Sequence, residues 1–97
     1  MSSITALFGI NISGSRNTVN GNYLIGNCNS GIFVPENAAG NIVSGNTANF
    51  NGGYGFEDQS IGSKTAGTAN TYANNTCLDN LFGGSNPTGL CNDIPSP

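Results

Sequence analysis

Histidine and tryptophan are absent from this 97-residue sequence, lysine and arginine together number two, and charged residues make up 7% of it. Each shortage removes a class of function. With no His and no C-x-x-C pair, the sequence supplies no zinc-ligand set. Copper handling wants Met, His or several Cys, and Met1 is the single methionine. Arg16 and Lys64 are isolated, so the clustered cations that bind phosphate are missing and no nucleic-acid partner is expected. No apolar run is long enough for a membrane span. Residues 4–12 are apolar but lack the basic start and the Ala-x-Ala-like site of a secretory signal. No metal and no cofactor is expected.

A chain with so little charge invites the suspicion of disorder, yet disordered segments usually carry high net charge, and here it is −3. What is abundant is glycine, at 15 residues, and asparagine, at 17. These are the residue types that most easily enter left-handed backbone conformations. Spaced regularly, they describe a chain full of tight turns.

The spacing is regular. Asn17-Thr18-Val19-Asn20-Gly21-Asn22 aligns with Asn41-Ile42-Val43-Ser44-Gly45-Asn46 and with Asn70-Thr71-Tyr72-Ala73-Asn74-Asn75, at offsets of 24 and 29 residues. Five residues beyond each closing Asn stands another (Asn27, Asn51, Asn80), and four residues further a Gly (Gly31, Gly55, Gly84). Strand-like runs follow the first two of these glycines, and Gly9-Ile10-Asn11-Ile12 fits the same slot one coil earlier. Short strands between Asn/Gly turns, repeated every 22–24 residues, predict an all-β right-handed parallel β-helix (β-solenoid) of about four coils. Successive coils then stack about 4.8 Å apart. Val19, Val43 and Tyr72 stack inside, as do Leu24, Ala48 and Cys77, and Ile10, Ile32 and Phe56. Asn22, Asn46 and Asn75 form an Asn ladder whose amides satisfy turn groups otherwise lacking partners. An α-helical repeat is disfavoured because no window shows apolar residues at helical spacing. The coils are assigned to residues 1–84 and an irregular C-terminal tail or cap to residues 85–97.

The Asn-x-[Val/Ile]-x-Gly-Asn motif and the Asn and Gly that follow it, over residues 9–80, resemble the repeat of the right-handed parallel β-helix family, the pectate-lyase-like superfamily. Residues 75–91 are similar to the C-terminal ends of its secreted members. The resemblance implies the C-terminal coils of a secreted, extracellular or cell-surface protein. It implies no activity, since that group mixes enzymes with binding and structural proteins.

Two irregularities stand out. The third interval carries five extra residues, which fall in the small, polar stretch 59–69, and a shorter bulge at 35–40 leaves the same strand position one coil earlier. The two loops are expected side by side, a candidate functional surface. At the other end, the first coil is left bare, and a bare coil exposes unpaired backbone and apolar side chains. Either further coils precede it or another subunit covers it, and self-association through open coil ends is the expected partner interaction. Of the three cysteines, Cys77 and Cys91 flank an irregular segment, and a disulfide between them ties the tail to the last coil, stabilising the fold by roughly 3 kcal/mol. Such a bridge implies an oxidising compartment. Cys28 is expected to pack as a small buried residue. The sequons at Asn11 and Asn74 carry little weight in so Asn-rich a chain.

Catalytic candidates are few. Acid/base chemistry needs paired carboxylates or a His, and there are five acidic residues. Glu57 and Asp58 are neighbours on a strand and point to opposite faces. Glu36 and Asp58, at similar positions on consecutive coils, are the pair that merits inspection. Gly52-Gly53-Tyr54-Gly55-Phe56-Glu57-Asp58 resembles one calcium-binding nonapeptide of the RTX solenoids, with Glu57 in place of Asp, but calcium there needs the motif on consecutive turns. Phe33, Tyr54 and Tyr23 offer stacking surfaces for sugar rings if they face outward. Glu36, Tyr54, Asp58 and Lys64 are therefore the candidate ligand-binding residues, with no catalytic residue assigned. The expected role is a non-catalytic extracellular module, structural or self-assembling. A carbohydrate-binding module, or a fragment of a polysaccharide lyase or hydrolase, is the alternative, with polysaccharide as the possible ligand.

Overall fold

A computed structural model describes residues 8–94. Residues 4–7 of the expected bare N-terminal segment and residues 95–97 of the expected tail lie outside the described residues. Among the described residues nine short strands follow one another: β1 (Ile10–Asn11), β2 (Thr18–Asn20), β3 (Tyr23–Ile25), β4 (Ile32–Val34), β5 (Ile42–Ser44), β6 (Thr47–Asn49), β7 (Tyr54–Asp58), β8 (Thr71–Ala73) and β9 (Gly83–Asn86). They are dealt in turn to three all-parallel sheets, ordered β1-β4-β7-β9, β2-β5-β8 and β3-β6. Parallel bridges from Thr47 to Thr76 and from Thr76 to Asn92 continue the third sheet. The chain is thus a parallel β-helix, with no α-helix among the described residues and one 3-10 turn at Thr65–Gly67.

The register follows the repeat. Ile10 lies over Ile32 and Ile32 over Phe56. Val19, Val43 and Tyr72 form the second stack, and Leu24 lies over Ala48 in the third. Cys77 continues that stack, one residue past Thr76. Ile32, Val34, Val43, Ala48 and Phe56 lose all solvent contact. Phe56 and Tyr72 meet edge to face across the interior at 6.2 Å. One interior corner is filled by backbone. A Cβ on Gly55 would sit 2.7 Å from Cys77 Cβ and 2.9 Å from Gly84 O, so only glycine permits this approach of one coil to the next.

Asparagines hold the corners, and there are three ladders where one was expected. Asn22, Asn46 and Asn75 form the expected one, and Asn17, Asn41 and Asn70, and Asn27, Asn51 and Asn80, form two more. In each, the backbone N–H of one rung donates to Oδ1 of the next, at 2.8–3.0 Å. The side-chain amide of a middle rung also donates backwards to a carbonyl of the preceding coil, as Asn46 Nδ2 does to Val19 O at 2.9 Å. Asn41, Asn46, Asn51, Asn70 and Asn75 are buried, and among the described residues no buried side-chain N or O lacks a partner. The buried polar corners of this apolar column are satisfied.

Cys77 and Cys91 form the expected disulfide, with Cα atoms 5.9 Å apart. Cys28 corrects the reading of it as a packed apolar residue: it is exposed. It aligns with Gly52, whose N–H donates to Asn27 O, at a corner where the inward positions belong to the asparagines and glycines. The fourth coil begins before the expected tail. β9 pairs with β7, Tyr54 against Gly83 and Glu57 against Asn86. Asn92 then pairs with the third coil, its N–H donating to Asn75 O and its carbonyl accepting from Cys77 N.

Candidate functional site

The chemistry-bearing residues gather where the third coil's extra residues leave β7. Asp58 ends that strand and alternates inward with Phe56. Its register partner is Val34, not Glu36, which corrects the equivalence drawn between the two carboxylates. Asp58 is 5% exposed, and among the described residues its two oxygens meet four donors. Oδ1 accepts from Ser60 N at 2.8 Å and from Ser60 Oγ, and Oδ2 accepts from Asn70 Nδ2 at 3.0 Å and Tyr72 O–H at 2.7 Å. Burial, and then the hydrogen bond to Asp58 and its negative charge, push the Tyr72 phenol well above its ordinary range. Tyr72 is therefore a fixed donor at physiological pH.

This cluster closes the end of the column over the second sheet. In earlier coils the N–H at the Asn70 position donates to the next rung; Asn70 has no next rung, and its N–H donates to Thr68 Oγ1 at 3.1 Å. Its side-chain amide, in place of a rung oxygen, meets Asp58 Oδ2 and Ser60 Oγ. Tyr72 N–H, which on β8 faces away from the stack, donates to Thr65 Oγ1 at 3.0 Å. Thr68 Oγ1 in turn donates towards Thr65 O and Asn70 O. Ser60, Thr65 and Thr68 thus stand in for a missing coil over the second sheet, and the tail does so over the third, where Leu90 is buried and its carbonyl lies 3.5 Å from Asn75 Nδ2. The sequence signal for this was present: an 11-residue stretch rich in Ser and Thr directly precedes the last rung of one ladder.

The other candidates are dispersed. The two loops do meet at their roots, where Gly40 N–H donates to Ala69 O at 2.8 Å and Asn70 Nδ2 to Ala38 O at 3.0 Å. Glu36 and Lys64 are exposed on them, and neither contacts the Asp58 oxygens. Tyr54 is half-buried at the start of β7, with its ring edge-on to Phe82 at 5.9 Å. Tyr23 is exposed, and Phe33 is half-buried beneath Phe8, stacked at 4.5 Å. Glu57 points outward, opposite to Asp58, and accepts from Ser30 Oγ at 2.8 Å. Among the described residues no three His, Cys, Asp or Glu side chains come together as a metal site.

The opposite end of the column is built differently. Val19, Ile10 and Leu24 are only partly buried, whereas their partners one coil on, Val43, Ile32 and Ala48, are fully buried. A shallow hollow there is lined by Ile10, Ile12, Asn17 and Val19. Among the described residues nothing donates to Asn17 Oδ1 or accepts from Asn17 Nδ2, and Asn22 Oδ1 likewise receives no donor. No described helix is long and apolar enough to cross a membrane. The Cys77–Cys91 disulfide fits an oxidising compartment. Comparison with family models, with curated proteins and with solved structures finds no match to this chain.

Proposed function

We propose that the chain is a non-catalytic, extracellular β-helix module with a structural role, self-assembling through the open face of its first coil. One observation carries the reading: all three interior stacks are sealed along their length yet left half-open at Ile10, Val19 and Leu24. Apolar side chains beside unpaired strand edge are the ordinary features of a surface that takes another β element. The disulfide supports an extracellular site of action, and the repeat's likeness to secreted parallel β-helices supports the same placement. The commitment of both Asp58 oxygens to four internal donors supports a structural use of that buried carboxylate.

The test is the solution mass of the non-reduced protein over a concentration series, by light scattering, beside Val19→Lys. Val19 is only partly buried, so a lysine there reaches solvent while placing charge on the open face. Native protein should associate as concentration rises and Val19→Lys should remain monomeric. A native monomer throughout would overturn the reading.

The outer face of the first sheet favours a second one. Asn11, Phe33, Glu57 and Asn86 lie in register across four strands, all pointing away from the core, with Phe8 stacked on Phe33. An aromatic ring among amides and a carboxylate suits a saccharide chain laid along the column axis. Glycan-array binding lost on Phe33→Ala would support it, and an array without signal would remove it.

A further inference from the structure

We infer that the open coil face takes the same face of a second copy, related by a two-fold axis, and that assembly stops at this pair. The inference rests on the self-association proposed above and adds its geometry and its limit.

A second copy offers two ends. Its C-terminal end is closed over two of the three sheets by its own chain: the groups that a stacking coil would use around β8 are held by Thr65 and Thr68, the amide of Asn70 by Asp58 and Ser60, and the strand edge at Thr76 by Asn92. Leu90 and the disulfide keep that closure in place. Head-to-tail stacking, the route to filaments, is therefore opposed over the second and third sheets of one of the two surfaces it needs, which leaves β9 alone as an unpaired edge there. The other face is that of the first coil, and among the described residues it complements itself. Ile42 N–H donates to Asn17 O and Thr71 N–H to Asn41 O, each towards the preceding coil. The Thr18 N–H, the equivalent group on β2, points out of the open face, as does the Tyr23 N–H by equivalence with Thr47 and Thr76. Outward carbonyls alternate with them: Ser44 O accepts from Gly21 N and Ala73 O from Gly45 N, so Asn20 O faces the same way. A strand edge carrying both donors and acceptors pairs with its own copy when the two run antiparallel. Asn17 adds an amide whose donor and acceptor meet no described group, able to bond reciprocally across the axis. The half-open side chains of Ile10, Val19 and Leu24 are then covered by their counterparts.

The experiment follows the mass of the native, non-reduced protein to high concentration, with electron microscopy of the same samples, beside Asn17→Asp and Thr18→Pro. Asn17→Asp keeps the shape, removes the donor and sets two like charges against each other; Thr18→Pro removes an N–H that no described group accepts. The expected result is a species of twice the chain mass that does not grow, weakened at least tenfold in both variants, with Asn17→Asp recovering as its carboxylate is protonated. Filaments or steadily growing mass would overturn the inference while leaving self-association standing, whereas a monomer at every concentration would remove both. A pair that is indifferent to both variants would place the contact elsewhere and overturn the inference.

Discussion

At the scale of single residues, the working unit is an amide that serves two coils at once. Asn46 Oδ1 accepts the backbone and side-chain N–H groups of Asn22, while the hydrogens of its own Nδ2 are shared among Val19 O, Ser44 O and Asn75 Oδ1. An aspartate has the oxygens for the first task and lacks the hydrogens for the second, which is why charge is rare in the corners. The exception is Asp58, placed where the column ends and where only acceptors are needed. Its donor Tyr72 carries a prediction. The folded phenol ionises well above its ordinary pKa of 10.0, so below pH 10 both folded and unfolded chains hold the proton and the contribution is complete. As pH rises past 10 the unfolded chain loses its proton first, and stability falls. Urea unfolding between pH 8 and 11.5 should show that decline, and Tyr72→Phe should flatten it at the cost of about 1–3 kcal/mol near neutral pH. An equal decline in the variant would assign it to other groups.

At the scale of elements, three-residue strands are too short to hold themselves, and the chain compensates with covalent and polar closure at its C-terminal end. The Cys77–Cys91 bridge spans 14 residues and fixes the segment that pairs with Thr76. Cys77→Ala/Cys91→Ser, in which Cys77 takes the residue already found at Ala48 one coil back, should lower stability by roughly 3 kcal/mol. Thermal melting checks it, and hydrogen exchange should show the Cys77 amide losing its protection at Asn92 O before the inner coils open. What was legible in the sequence at this scale was position. The recurrence of Asn and Gly put Val19 over Val43 and Ile32 over Phe56 without any structure. What was not legible was direction wherever strand alternation stops. Cys28 sits at a corner, where no in–out pattern constrains it, and it faces solvent. Asp58 does follow the alternation of β7, but its partners were not legible, because Ser60, Asn70 and Tyr72 converge on it from 2, 12 and 14 residues away. β9 escaped notice because Gly83-Gly84-Ser85-Asn86 has no apolar residue to mark it as a strand.

At the scale of the molecule, height and contour length are decoupled. The Asn17–Asn41 and Asn41–Asn70 rungs are separated by 24 and 29 residues, yet their bonds measure 2.8 and 2.9 Å. Each coil senses where the chain arrives at a corner and is indifferent to how far it wandered between corners. That makes the body a tolerant display frame. A foreign polar peptide inserted between Glu36 and Asn37, both exposed, adds only loop-closure entropy, about 0.6 kcal/mol per doubling of loop length. The chimera's melting temperature should stay within a few degrees of the parent while an antibody to the inserted epitope binds it natively. A collapse in stability would mean that the bulge at residues 35–40 helps to set the register. If the frame holds, evolution has been free to rewrite this flank of the protein without renegotiating its interior.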